Sequence, residues 1–157
     1  MPREIEHKYL VKNDSWKTNA HGVQYRQGYF ACTQPTVRIR VIDNRGILTI
    51  KSSEAGISRS EYEYSIPLHD AEEMLKKYCK GILIEKTRYK VDFMEREWTI
   101  DVFHGANDGL ILAEIELNTE DEHYELPSWI DKEVSDDPRY YNAYLYKYPY
   151  TKWRRKM

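Results

Sequence analysis

Near the start of the chain Glu4, Glu6 and Lys8 alternate with Ile5 and His7. The same spacing returns with other charges: Arg38 and Arg40, Glu61 and Glu63, Lys86 and Arg88, Glu114 and Glu116. Arg38, Arg40, Lys51, Lys86 and Arg88 are strong phosphate donors, because guanidinium grips phosphate oxygens in a bidentate fork and lysine adds a compact charge. Glu4, Glu6, Glu114 and Glu116 are hard oxygen ligands suited to Mg²⁺ or Mn²⁺. Carboxylates, a divalent metal and a cationic cradle are together the parts of metal-assisted phosphoryl transfer. A single Glu-x-Glu or Arg-x-Arg is common on a solvated strand. The ordered set is what informs.

Such side chains need elements that point them the same way. Residues two apart on a β-strand share a face. The residues between the charges are mostly apolar (Ile5, Ile39, Tyr62, Ile115), with Thr87 the exception. Strand patterns run over 3–12, 24–32, 36–43, 47–53, 60–66, 82–93, 97–103 and 110–118. Asn44-Arg45-Gly46 predicts a hairpin turn where φ > 0 is needed. The span 70–80 reads as a helix, with Asp70 as N-cap, Glu73 completing a capping box and Gly81 as the stop. His104 to Gly109 reads as a turn. Asp137-Pro138 opens a second short helix through about Lys147. The class is α+β, mainly antiparallel β. Short connections favour antiparallel pairing, and eight strands suit a small closed barrel with a few flanking helices.

Sorting the strands by parity separates two faces. One collects Glu4, Glu6, Lys8, Arg38, Arg40, Thr49, Lys51, Glu61, Glu63, Ser65, Lys86, Arg88, Lys90, Thr99, Asp101, Glu114 and Glu116. The other collects Ile5, Val37, Ile39, Val41, Leu48, Ile50, Tyr62, Tyr64, Ile66, Tyr89, Val91, Phe93, Trp98, Ile100, Val102, Ile115 and Leu117. Apolar surface of that extent must be covered, by helices, by loops or by a second copy of the chain in a homodimer. Two architectures satisfy the pattern. A flat sheet would turn its charges to water. A sheet curled around its charged face would make a wet tunnel. Same-sign neighbours repel, and an exposed sheet face usually carries Thr, Ser and Gln. Grouped carboxylates and grouped cations therefore favour the tunnel, with a polyanion and metal ions inside.

Composition sets the outer bounds. At 157 residues, with 41% hydrophobic and 32% charged residues, a single domain over 1–157 is expected, with a basic tail from about 151. The net charge of −2 gives no global pull toward nucleic acid or membrane, and a nucleic-acid partner is not expected. Cys32 and Cys79 form no metal-spaced motif and read as reduced thiols. The N-terminus has no apolar signal region, and no apolar run approaches the roughly 20 residues that span a bilayer, so a cytoplasmic location is expected. His7, His21, His69, His104 and His123 show no ligand spacing. The tryptophans and the tyrosines from Tyr140 to Tyr150 read as packing residues.

Glu4-Ile5-Glu6-His7-Lys8 resembles the ExExK signature of the CYTH superfamily, the triphosphate tunnel metalloenzymes. Arg38-Ile39-Arg40, Lys51, Glu61-Tyr62-Glu63, Lys86-Thr87-Arg88, Asp101 and Glu114-Ile115-Glu116 match its later elements in order, over about residues 2–147. The resemblance implies an eight-stranded antiparallel tunnel that binds a small-molecule triphosphate with Mg²⁺ or Mn²⁺. It implies that Glu4, Glu6, Glu114 and Glu116 hold metal, with Asp101 a lesser candidate. Glu61 and Glu63 would bind metal or orient basic side chains and water. Arg38, Arg40, Lys51, Lys86 and Arg88 would hold phosphate oxygens, and Lys8 would position or activate the attacking water. Tyr29 corresponds to a tyrosine near the tunnel mouth and joins Lys8 as a catalytic candidate. The short chain, with little sequence between its strands, favours inorganic tripolyphosphate as substrate of a phosphoanhydride hydrolase. The alternatives are a class IV-type adenylate cyclase, a non-catalytic polyphosphate or nucleotide-binding module, and an RNA-end binder.

Overall fold

A computed structural model describes residues 3–18, 20–30, 35–52 and 57–154, apart from the side chains of Arg3 and Arg59. Cys32 and the tail residues Arg155 and Lys156 lie outside the described residues. The strands are β1 (Arg3–Val11), β2 (Gly22–Tyr29), β3 (Thr36–Ile42), β4 (Arg45–Lys51), β5 (Ser58–Ile66), β6 (Ile84–Phe93), β7 (Arg96–Phe103), β8 (Ile111–Glu116) and β9 (Ile130–Glu133). Helix α1 (Leu68–Tyr78) follows β5, and α2 (Asn142–Lys147) and α3 (Tyr150–Trp153) end the chain. No helix among the described residues is long and apolar enough to cross a membrane.

All pairings are antiparallel, in the order β5-β4-β3-β2-β6-β7-β8-β1-β9, with a further pairing of β5 to β1. That last pairing joins β5, at one end of the order, to β1, next to the other end, so β1 to β8 form a circuit of eight strands. The joint is short: only Arg3, Glu4 and Ile5 face Ser60, Arg59 and Ser58. Further along β1, the edge that met β5 meets β9 instead, through Tyr9 with Glu133 and Val11 with Ile130. The ring is thus stitched at one end of β1 and parted at the other, where β9 is a ninth strand absent from the sequence reading. Ile130-Asp131-Lys132-Glu133 is too short and too charged to announce itself as a strand. It forms because an open edge of β1 is available to pair.

The apolar side chains gather in two clusters. One joins Ile39 and Val41 of the apolar parity face with Ala71, Leu75, Leu145 and Tyr146 of the helices, and with Ile84, Phe103 and Leu112, which share the inward parity of Lys86, Asp101 and Glu114. The other joins Tyr9, Trp16, Trp98, Ile100, Ile115 and Trp129. Tyr64 remains exposed on β5.

Three local expectations need correction. The β3–β4 turn is centred on Asp43-Asn44, not on Asn44-Arg45-Gly46, with Ile42 facing Arg45 and Asp43 at φ 54°. Asp tolerates the left-handed region, which leaves Gly46 free to serve in the strand. A Cβ at Gly46 would lie 2.7 Å from Ala71 Cβ and 3.0 Å from the Ile66 carbonyl oxygen. This glycine is what lets α1 lie close against the sheet. Gly46→Ala is expected to lower stability by about 1–3 kcal/mol, the usual cost of overpacking, read from a denaturant melt.

Helix α1 begins after Pro67, whose carbonyl accepts the first helical bond from Ala71 N; Asp70 sits inside the first turn and makes no cap. Its end at Cys79 precedes Gly81, which instead gives close approach to the Tyr146 ring and donates its N–H to Tyr146 Oη. The last predicted helix is broken. Asp137 does cap a 3-10 turn over Pro138–Tyr140 by accepting from Arg139 N, but Tyr141 is extended and α2 starts anew at Asn142.

Candidate active site

The ring encloses a cavity of about 420 Å³. Its wall includes Glu4, Glu6, Lys8, Arg38, Arg40, Thr49, Lys51, Glu61, Glu63, Lys86, Arg88, Thr99, Glu114 and Glu116. The charged face is therefore inside, and the flat-sheet alternative is set aside. Tyr29 also lines the cavity, but at 4% exposed it is buried in the wall. Ser65, Lys90 and Asp101 share the parity but do not line it. Ser65 and Lys90 are exposed, and Lys90 lies 3.9 Å from Glu97.

The cations are held from behind. Asp101 is 1% exposed, and both its oxygens are taken: Oδ1 accepts from Arg88 Nε at 2.7 Å, and Oδ2 from Lys86 Nζ at 2.8 Å and Arg88 Nη2 at 2.9 Å. Burial opposes a charge on Asp101, but Arg88 and Lys86 outweigh it and hold the carboxyl well below the usual range. Asp101 thus stands behind the cradle, not among groups facing a metal, and differs from its expected place as a lesser ligand. Lys86 Nζ also donates to Asn142 Oδ1 at 3.0 Å, which fixes the start of α2 at the cavity wall. Gln27, 0% exposed, accepts from Arg40 Nε at 2.9 Å and donates to the Tyr29 hydroxyl at 3.0 Å. Arg38 donates to Thr49 Oγ1 at 3.3 Å, while its Nε is buried with no partner among the described residues. Burial, then Arg38 and Arg88, push the Arg40 pKa down to about 9. Cations crowded against one another in this way gain most from an anion.

The carboxylates show the complementary tension. Glu6 faces Glu116 directly across β1 and β8, a like-charge pair that destabilises a sheet unless something lies between. Burial, then Glu114 and Glu4, raise the Glu6 pKa well above the carboxylate range. Burial, then Glu4 and Glu114, also raise Glu116. Glu114 goes the other way. Burial disfavours its charge, but Lys8, whose Nζ is 3.7 Å from Glu114 Oε1, wins and brings it to about 2. Lys51 Nζ lies 2.9 Å from Glu4 Oε1 and 3.3 Å from Glu61 Oε2. The Glu4 contact is an ion pair without hydrogen-bond alignment, and among the described residues that oxygen has no hydrogen-bond partner. Among the described residues no three acidic groups already meet as a metal cage. They approach in twos instead, Glu4 with Glu61 and Glu6 with Glu114. All are hard oxygen donors, and repulsion among them is what a divalent cation relieves, so the set fits Mg²⁺ or Mn²⁺ by its chemistry.

Lys8 is held by Glu114, by the Tyr140 carbonyl at 3.4 Å and by the Tyr141 ring at 5.5 Å. Its backbone N–H donates to Ser135 Oγ at 2.9 Å, and Ser135 in turn donates to Glu133 Oε2 at 2.6 Å. The segment after β9 is thereby fastened to β1 and adds Ser135, Tyr141, Asn142 and Ala143 to the wall. No charge alternation marks those residues, so the sequence carries no sign of them. Tyr25 and Gln27 are different. They precede Tyr29 at spacing two on β2, and parity alone places all three inside.

An antiparallel ring with a lumen of facing carboxylates and cations defines a class of charged β-tunnel. The chain matches the CYTH domain over residues 2–141 and belongs to that family, the triphosphate tunnel metalloenzymes. It is similar to an inorganic triphosphatase of Acetivibrio thermocellus, 47% identical over 155 residues that cover 98% of this chain and 99% of that protein. An inorganic triphosphatase of Nitrosomonas europaea is 38% identical over 149 residues, covering 90% of this chain and 95% of that protein. A crystal structure of an inorganic triphosphatase is 33% identical with a TM-score of 0.67, covering 90% of this chain and 96% of that chain.

Proposed function

We propose that this protein hydrolyses inorganic tripolyphosphate with the help of Mg²⁺ or Mn²⁺. The observation that carries the reading is the division of the cavity wall: five cations project from β3, β4 and β6, and the carboxylates from β1, β5 and β8, with Lys8 of β1 the one cation among them in the described residues. Full-length similarity to two inorganic triphosphatases supports it. In this reading Arg38, Arg40, Lys51, Lys86 and Arg88 bind phosphate oxygens and stabilise the charge that grows on the leaving diphosphate. Glu4, Glu6, Glu114 and Glu116 hold the cation, with Glu61 and Glu63 beside them. A bound divalent cation neutralises phosphoryl oxygens and polarises water. Lys8 and Tyr29 orient water for in-line attack on the terminal phosphorus. Asp101 aims Lys86 and Arg88; it raises the Arg88 pKa and favours charge on Lys86 against the burial that lowers the Lys86 pKa. A cavity of about 420 Å³ is at the small end of ligand sites, which run from about 300 to 1,000 Å³.

The test is phosphate release from tripolyphosphate and from ATP, each with Mg²⁺, with Mn²⁺ and with EDTA. Fast metal-dependent release from tripolyphosphate and slow release from ATP is the expected result. Tight metal-dependent binding without release overturns the hydrolase assignment. Cyclic AMP formed with pyrophosphate from ATP would replace it with a cyclase.

A further inference from the structure

Tyr25 carries no charge, and no part of the mechanism above uses it. It faces into the cavity from β2, opposite Ile42 on β3 and Lys86 on β6. Its ring is shared by three cations: the centroid is 4.7 Å from Arg88 Cζ, 5.0 Å from Arg40 Cζ and 5.7 Å from Lys86 Nζ. The face of a phenol ring is electron-rich and attracts cations. In the sheet order β2 lies between β3 and β6. Tyr25 therefore stands on the strand that separates the strand of Arg40 from the strand of Arg88.

The two guanidiniums have one protein anchor each. Arg40 is tied through Nε to Gln27, and Arg88 through Nε and Nη2 to Asp101. Among the described residues, the terminal nitrogens of Arg40 and Nη1 of Arg88 donate to no protein acceptor. Like charges so placed repel, and Arg40, tied through Nε to Gln27, is free to swing its terminal nitrogens away from the more firmly held Arg88. A common electron-rich face holds both.

We infer that Tyr25 is a positioning residue for triphosphate binding, its ring holding the Arg40 and Arg88 guanidiniums side by side as one phosphate-gripping fork. The inference rests on the triphosphatase reading of the cavity. It requires the aromatic face and not the hydroxyl, so phenylalanine serves and an aliphatic side chain of similar bulk does not. Loss of the fork weakens substrate binding more than the chemical step.

The experiment is steady-state turnover of tripolyphosphate with Mg²⁺ by the Tyr25→Phe and Tyr25→Met variants, with KM and kcat resolved and each variant's melting temperature measured. Tyr25→Phe is expected to stay within about twofold of the wild type, and Tyr25→Met to raise KM about tenfold while kcat changes less than about threefold. Arg40→Lys with and without Tyr25→Met completes the set. The double variant is expected to lose less than the product of the two single losses, because both remove the same fork. Unchanged KM in Tyr25→Met, a Phe variant as impaired as the Met variant, or fully multiplicative losses would each overturn the inference. Should Tyr25→Met fail to fold, Tyr25→Leu takes its place in the same comparison. Absence of turnover in the wild type removes the triphosphatase reading itself. An active wild type with an unaffected Met variant removes the Tyr25 inference alone.

Discussion

Glu6→Gln and Glu116→Gln are expected to lose at least about 10²-fold in turnover, since each removes a carboxylate from the set proposed to hold the cation. Both variants should fold. The two residues face each other across β1 and β8, with Glu4 and Glu114 adding to the repulsion. The sign of the effect on stability follows from Glu6. Its folded pKa is raised above the unfolded value, first by burial and then by Glu114 and Glu4. A raised carboxyl contributes stability at pH below its unfolded pKa and loses it as pH climbs through the folded pKa. Metal-free protein at neutral pH therefore bears a penalty that Glu6→Gln relieves. If that relief is worth about 1 kcal/mol, the melting temperature in EDTA rises by about 2–4 °C. Added Mg²⁺ should stabilise the wild type and leave the variant nearly unchanged. Activity near wild type in either variant would remove these carboxylates from the metal assignment.

Asp101→Asn is the second large effect, and it falls on the fold first. The substitution keeps the shape and removes the only anion that touches Lys86 and Arg88 in the hydrogen bonds and ion pairs of the described residues. Breaking a buried pair by removing one partner costs about 3–5 kcal/mol, because the remaining charge is stranded. The denaturant midpoint should drop accordingly, and the residual activity should show a raised KM as the two cations lose their aim. The pH dependence has the opposite sign to that of Glu6. A depressed carboxyl contributes stability above its unfolded pKa, which is about 3.9 for Asp. That contribution is lost as pH falls toward the folded pKa. Wild-type stability should decline below about pH 4, and Asp101→Asn should lack that part of the slope. Equal acid unfolding curves for the two proteins would contradict the role given to Asp101.

Most of this architecture was legible because charge and apolar residues alternate with the period of a strand. Parity put Glu4, Glu6, Lys8, Arg38, Arg40, Lys51, Lys86, Arg88, Glu114 and Glu116 on one face, the grouping of like charges favoured turning that face inward, and all of them line the cavity. It could not separate Asp101 from them, because facing inward and lining the cavity are different things. Asp101 is covered by the very cations it binds. Gly46 misled because a glycine after Asn44-Arg45 has the look of a turn, whereas its service is to admit α1. Residues 130–133 became a strand through an edge that β1 leaves open, a tertiary cause with no local trace. Tyr25 was hidden by chemistry and not by pattern: it sits at the right spacing, but an aromatic residue on a strand usually signals core.

Among the described residues the wall holds six carboxylates (Glu4, Glu6, Glu61, Glu63, Glu114, Glu116) and six cations (Lys8, Arg38, Arg40, Lys51, Lys86, Arg88). Without ligand the lumen is an internal salt, with Lys51 on Glu4 and Glu61 and Lys8 on Glu114. On the proposed reading, loading it is a double exchange, in which carboxylates trade lysine for metal while lysine and arginine trade carboxylate for phosphate. Either newcomer by itself leaves half of the lattice without counter-charge. Metal and triphosphate should therefore each tighten the other's binding by the same factor, as linkage demands. Because the metal cancels part of the triphosphate's charge and the wall carries both signs, affinity should depend on ionic strength less steeply than at a purely basic anion site.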